Sequence, residues 1–281
     1  MSDYEITLRP DGRWFDLQLA GLWQYRDLLT LLVWRDFIAK YKQTILGPLW
    51  FIVQPLLMTG VFVVVFGHLL GLSTDGLPPV LFYLCGQLGW NYFAQTVTAN
   101  SSTLLANAGL FGKVYFPRLV VPVAALISNL LAFAIQLVTF LAFYVYLKGT
   151  PAAPSFGMTT SVVLLPLLIV QLAMLSLGVS LLMSAATAKY RDLTHVTGLL
   201  LQVWMYATPV LYPLTQFPAR WQWVAGLNPM TPVVEAFRLM LLGAGTVQQP
   251  HVVWSVSCTV VVVVLGAALF SRVEQTFADI A

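Results

Sequence analysis

Between positions 34 and 72 the spacing of apolar residues changes character at a single break. Trp34, Phe37, Ile38 and Tyr41 fall at i, i+3, i+4 and i+7, one face of a helix, while Arg35, Asp36, Lys40 and Lys42 take the other. This pattern predicts an amphipathic helix lying on a membrane surface. Gly47 and Pro48 interrupt it, and positions 49–72 hold no charged residue in 24 positions, roughly 36 Å of helix against a hydrocarbon core of ~30 Å. The second half reads as a first membrane span.

Five more apolar stretches follow at about 80–97, 119–147, 161–186, 196–212 and 252–270, so six spans are predicted. The second of the six carries Tyr83, Gln87, Asn91 and Gln95 at spacings of four, with Trp90 beside them, a polar stripe without charge. The fourth carries Ser176, Ser180 and Ser184, small residues that let a neighbouring helix approach. The fifth ends in Thr208-Pro209-Val210-Leu211-Tyr212-Pro213, whose prolines remove backbone donors and are expected to break or kink the helix at one membrane face. Positions 214–245 are too apolar for a plain loop: Trp221, Trp223, Val224 and Leu227 precede Asn228 and Pro229, and 233–242 reads as a second short helix. Thr231 is expected to cap that helix, with Pro232 at its first position and Glu235 in its first turn. Pieces of about ten residues are too short to span, so a re-entrant hairpin is expected there.

The predicted fold is an all-α integral membrane protein with six transmembrane helices, an N-terminal amphipathic interface helix and an extracytoplasmic re-entrant helical hairpin before the last span. It divides into a cytoplasmic segment 1–48, a transmembrane domain 49–270 with its external hairpin at 214–245, and a cytoplasmic tail 271–281. Composition agrees: 59% of residues are hydrophobic and 9% charged, against about 25% charged in soluble domains. With the N-terminus inside, eleven of the fourteen Lys and Arg fall on the cytoplasmic side, leaving Lys148, Arg220 and Arg238 outside. Both termini are therefore expected in the cytoplasm. The net charge of +3 is spread over span flanks, which argues against a nucleic-acid partner.

Several chemistries are disfavoured by what the spans lack. None of them contains Asp, Glu, Lys or Arg, whereas ion-coupled carriers need ionisable groups at membrane depth. His68, His195 and His251 lie at span ends, Cys85 and Cys258 have no CxxC spacing, and no HExxH or paired carboxylates occur, so neither a metal site nor an enzyme centre is expected. Positions 107–114 faintly resemble a phosphate loop but hold Asn107 and Val114 where Gly and Ser or Thr are required. If this chain moves something, the energy comes from another subunit.

A series of motifs in fixed order carries a family resemblance. It comprises Trp34-Arg35-Asp36 with Lys40-Tyr41-Lys42-Gln43-Thr44 and Leu46-Gly47, then Lys113-Val114-Tyr115-Phe116-Pro117-Arg118, Tyr190-Arg191-Asp192, and the segment from Pro209 to Pro213. Asn228-Pro229-Met230, Glu235-Ala236-Phe237-Arg238 and the tail from Glu274 to Asp279 complete it. From Trp14 to Asp279 the chain resembles the permease subunit of bacterial ABC transporters of the type-2 exporter class, in the branch exporting O-antigen, capsule or teichoic-acid polysaccharides. Lys40 stands where many relatives are expected to carry Arg.

The resemblance implies a homodimer in the bacterial cytoplasmic (inner) membrane, joined to two copies of a cytoplasmic ATPase that binds ATP and Mg, with no cofactor in this chain. The cargo implied is a lipid-linked polysaccharide. By analogy Arg35, Asp36, Lys40, Tyr41, Lys113, Tyr115, Arg118, Tyr190, Arg191 and Asp192 face the ATPase, with topology and lipid-headgroup contact as the plainer role of the basic ones. A sliding glycan suits neutral hydrogen-bonding and aromatic groups. Tyr83, Gln87, Trp90, Asn91 and Gln95, joined by Gln202, Trp204 and Tyr206, are the candidate translocation path; bonding between helices of one protomer is the other reading of the amides. Trp221, Trp223, Asn228, Pro229 and Glu235 belong to an external hairpin expected to gate the exit, an interfacial aromatic belt being the other reading of its aromatic residues. An exporter of small lipophilic molecules and a glycan-modifying membrane enzyme are the competing functions.

Overall fold

A computed structural model describes residues 23–107, 109, 116–150 and 156–278, with side chains to 274, and among them there is no strand. Helix α1 (Arg26–Ala39) is followed by a turn in which Gln43 and Gly47 adopt positive φ of 67° and 54°. That turn reverses the chain into a 3₁₀ segment (Gly47–Leu49), α2 (Trp50–Phe62) and a π-helical continuation (Val63–Leu69). Then come α3 (Pro79–Ser101), the short α4 (Thr103–Ala106), α5 (Val120–Lys148), α6 (Leu165–Lys189) and α7 (Leu193–Tyr206). Helices α8 (Ala219–Gly226) and α9 (Met230–Leu242) occupy the segment predicted as a hairpin, and α10 (Gln249–Ala278) ends the described chain.

Four helical runs are long and apolar enough to cross a membrane: Gly47–Leu69, Val120–Lys148, Thr160–Lys189 and Gln249–Glu274. The remaining two predicted spans fall on α3 and α7, which do not meet that measure. α3 carries the amides and hydroxyls of its polar stripe, and the 14 residues of α7 reach only about 21 Å.

α3 is the hub of the molecule. It packs against α2, α5, α6, α7 and α9, and Leu81, Phe82, Leu88 and Phe93 along it are buried. A helix enclosed by other helices needs no lipid-compatible surface, because its neighbours satisfy its polar side chains. Accordingly, Asn100 donates to Pro122 O (3.3 Å) and to Ser180 Oγ (3.4 Å), linking α3 to α5 and α6.

α6 and α10 approach each other closely. A β-carbon on Gly178 would lie 2.7 Å from Val263 N, and one on Gly266 would lie 2.5 Å from Gly178 O, so the two backbones touch. Ser176, Ser180 and Ser184 on α6 are fully buried, in keeping with their small size at a helix contact.

α1 uses a different face from the one its spacing predicts. Leu32 is its buried residue, packing with Leu28, Leu29 and Val33 against Phe116, Val120, Val121 and Ala124. The helix ends at Ala39, before Tyr41. Trp34, Phe37 and Tyr41 instead form a ring cluster with Phe51, in which Phe37 stacks on Phe51 at 5.5 Å and 9°. The long apolar side chains of α1 therefore serve two surfaces, one against α5 and one against the start of α2.

α9 also differs in its start. Thr231 makes no cap, and its hydroxyl is buried without a partner. Asn228 Oδ1 accepts the Met230 N–H at 3.0 Å instead, and the helix begins at Met230. Gly243, in the left-handed region at φ 76°, ends it.

Candidate coupling cleft and hairpin

The end of α1 hangs over a cleft of about 240 Å³ bounded by α3, α4 and α5. Arg35, Asp36 and Lys40 form one wall; Asn100, Thr103, Ser128 and Asn129 are among the groups facing them. Arg35 Nε and Nη2 both donate to Asp36 Oδ1, at 2.9 and 2.8 Å. Lys40 Nζ donates to Asn129 Oδ1, and Asn129 Nδ2 donates to Thr96 Oγ1 at 3.2 Å. Burial of its ammonium holds Lys40 below the ordinary lysine range, with Asp36 acting in the opposite sense. Ser128 Oγ is buried in this region without a hydrogen-bond partner. The cleft thus mixes two cations, one carboxylate and a floor of neutral polar groups. It suits a protein surface carrying both signs of charge.

The other residues expected to face an ATPase are distributed differently. Tyr41 belongs to the ring cluster beside the cleft. Arg118, at the entry to α5, donates from Nη1 to Glu274 O at 2.7 Å and lies 3.8 Å from that carboxylate, fastening α10. Tyr190, Arg191 and Asp192 form the exposed turn between α6 and α7, with Lys189 Nζ 5.2 Å from the Tyr190 ring centroid. Lys113 and Tyr115 lie outside the described residues.

The polar stripe of α3 is turned largely into the protomer. Tyr83, Gln87 and Trp90 are buried, Asn91 and Gln95 half-buried. Gln87 Nε2 donates to Thr59 Oγ1 of α2 at 2.9 Å, and Asn91 Nδ2 reaches Gln136 Oε1 of α5 at 3.5 Å. The Tyr83 ring packs edge-on against Phe62 and Phe82. On α7, Gln202 and Tyr206 are exposed, while Trp204 is half-buried and donates from Nε1 to Asn228 Oδ1 at 2.9 Å.

Asn228 clamps the hairpin turn. Its oxygen accepts from Trp204 and Met230, and its Nδ2 donates to Ala207 O (3.2 Å) and Thr208 Oγ1 (2.9 Å). From α10, Trp254 Nε1 donates to Leu227 O and Ser255 Oγ to Pro229 O, at 2.8 and 2.7 Å. The two helices on either side of this turn are unlike. α8 exposes Trp221, Trp223 and Val224, whereas α9 is buried on every side. Within α9, Arg238 Nη1 donates to Glu235 Oε1 at 2.7 Å, and its Nη2 donates to Val210 O at 2.9 Å. The Arg238 guanidinium lies 3.9 Å from the Phe82 ring centroid, and Glu235 Oε2 accepts the Thr246 N–H at 2.7 Å.

Sequence reasoning placed Arg238 outside the membrane without a role and passed over Asn129, Gln136 and Ser128. The available signals were the Glu-x-x-Arg spacing on one helix face and the seven-residue interval between Asn129 and Gln136 in an otherwise apolar span.

Comparison with known proteins places this architecture. The chain is 28% identical over 260 residues to the O-antigen export system permease protein RfbA of Myxococcus xanthus, covering 92% of this chain and 96% of that one. It is 26% identical over 254 residues to RfbA of Klebsiella pneumoniae, covering 90% and 95%. To the polysialic acid transport protein KpsM of Escherichia coli it is 22% identical over 242 residues, covering 86% and 91%. A family profile described as ABC-2 type transporter matches residues 27–242, from the second residue of α1 to the last of α9. This multi-helix membrane protein therefore belongs to the ABC-2 type transporter family.

Proposed function

We propose that this protein is the channel-forming permease subunit of an ATP-driven exporter that moves lipid-linked polysaccharide of O-antigen or capsule type across the cytoplasmic membrane. The observation that carries this reading is end-to-end similarity to permeases named for O-antigen export and to a polysialic acid transport protein. The chain acts as a homodimer, with both termini cytoplasmic and two copies of a separate ATPase that supplies the ATP and Mg chemistry. α3 and α7 complete six spans, α3 because it is enclosed and α7 because the segment 207–213 extends it. The ATPase seats on the cleft at Arg35, Asp36 and Lys40, with the 190–192 turn as a second contact.

The glycan path runs along the dimer axis past the exposed Gln202 and Tyr206 of α7, with Asn91 and Gln95 the members of the α3 stripe nearest to solvent. Tyr83, Gln87, Trp90 and Trp204 shape this wall from behind. α8 is the moving part of the external gate, since α9 with Glu235 is held inside the protomer.

The test is co-purification of tagged permease with the ATPase encoded beside it, followed by ATP hydrolysis in nanodiscs with and without lipid-linked polysaccharide. A stable two-plus-two complex whose hydrolysis responds to the glycan is the expected result. A complex indifferent to glycan moves the cargo to small lipophilic molecules, and the absence of a complex overturns the reading.

A further inference from the structure

Apolar contacts between α1 and α5 at Leu32, Val120, Val121 and Ala124 hold the two helices together but leave their register loosely defined, because dispersion has no direction. The hydrogen bond from Lys40 at the end of α1 to Asn129 is directional, and it sets that register. Asn129 is 2% exposed, and both ends of its amide are engaged. Its oxygen receives the ammonium and its nitrogen donates to Thr96, itself fully buried on α3. The ammonium fixes the orientation of the amide, since it can only donate and so must face the oxygen, which leaves the amide nitrogen to donate to the Thr96 hydroxyl. Lys40, held below the ordinary lysine range by burial, has lost water that the Asn129 oxygen replaces. One side chain therefore joins three elements: the end of α1, α5 and the hub helix α3.

We propose that Asn129 is a positioning residue for energy coupling, the link that delivers displacement of α1 to α3. This rests on the reading that an ATPase engages α1. When the partner pushes on α1, the apolar contact alone would let the helix slide over α5. The Lys40–Asn129–Thr96 connection carries the displacement into α3 and, through Asn100, onward to α5 and α6.

The experiment compares wild type, Asn129→Leu and Thr96→Val, each purified with its ATPase and reconstituted in vesicles, measuring ATP hydrolysis and glycan export in the same sample. Thr96→Val conserves shape and removes the hydroxyl at the distal link, so it decides the matter if Asn129→Leu does not fold. Thr96→Val, which lies outside the cleft lining, is expected to retain the ATPase and to hydrolyse ATP, and in both variants glycan exported per ATP falls about five- to tenfold, the size of a modest coupling energy. Asn129→Asp keeps an acceptor for Lys40 and offers its second oxygen to the Thr96 hydroxyl, so it is expected to hold export per ATP near the wild-type value. Unchanged export per ATP in Thr96→Val overturns the proposal, and so does a parallel fall in hydrolysis and export. Failure of wild type to bind the ATPase is a different result, which removes the functional reading itself.

Discussion

Two arginines in this protein each sit beside an acid at nearly the same distance, and they do opposite things. Arg35 and Asp36 meet at 2.8 Å with side chains 47% and 23% exposed; Arg238 and Glu235 meet at 2.7 Å with side chains 2% and 3% exposed. In water the first pair contributes about 0–1 kcal/mol, because solvent already satisfies both charges. Breaking the second strands a charge that water cannot reach, at a cost of about 3–5 kcal/mol. Bond length is thus no guide to role. Arg35 and Asp36 stay in contact with solvent, whereas the charges of α9 hold α9, α3 and the carbonyl of Val210 together.

The largest effect is expected from Arg238→Leu, which leaves Glu235 buried with only the Thr246 N–H: a loss of about 3–5 kcal/mol, read as a large drop in thermal unfolding temperature in detergent. Gly86→Ala comes next. The added methyl would lie 2.8 Å from Val210 O and 3.1 Å from Arg238 Nη2, and forcing them apart should cost about 1–3 kcal/mol in the same assay. Adding Glu235→Leu to an Arg238→Met background should return most of the lost stability, as apolar replacements of buried pairs often do; a double variant no better than Arg238→Met would refute this account of the pair. The smallest change in stability, under ~1 kcal/mol, is expected for Arg35→Ala. There the effect should appear in ATPase co-purification, which should also weaken as salt rises from low to physiological ionic strength.

The positions of the helices were legible because uncharged runs of membrane length leave little alternative: 119–147 matches α5 to within one residue, and 161–186 and 252–270 lie within α6 with its 3₁₀ lead-in and α10. The contacts of α3 were not legible. Gln87 and Asn91 at a spacing of four fit a pore wall and a helix seam equally well, and only the positions of Thr59 and Gln136 show where their amides go. α9 was hidden for a related reason. A 13-residue apolar helix carrying an acid and a base looks amphipathic in sequence, and it takes Val210 and Phe82 from distant parts of the chain to bury both charges. The cleft was half legible: Arg35, Asp36 and Lys40 stood out as charges on a surface helix, while the floor they face comes from the uncharged residues of α3 and α5.

The backbone contact at Gly178 and Gly266 bears on a problem every wide-bore transporter faces, that of passing a bulky solute without discharging the proton gradient. Side chains between helices can change rotamer and admit a file of water molecules; main chain pressed against main chain has nothing to rotate. Where Gly178 and Gly266 meet, α6 and α10 therefore close on each other with no side chain between them to swing aside.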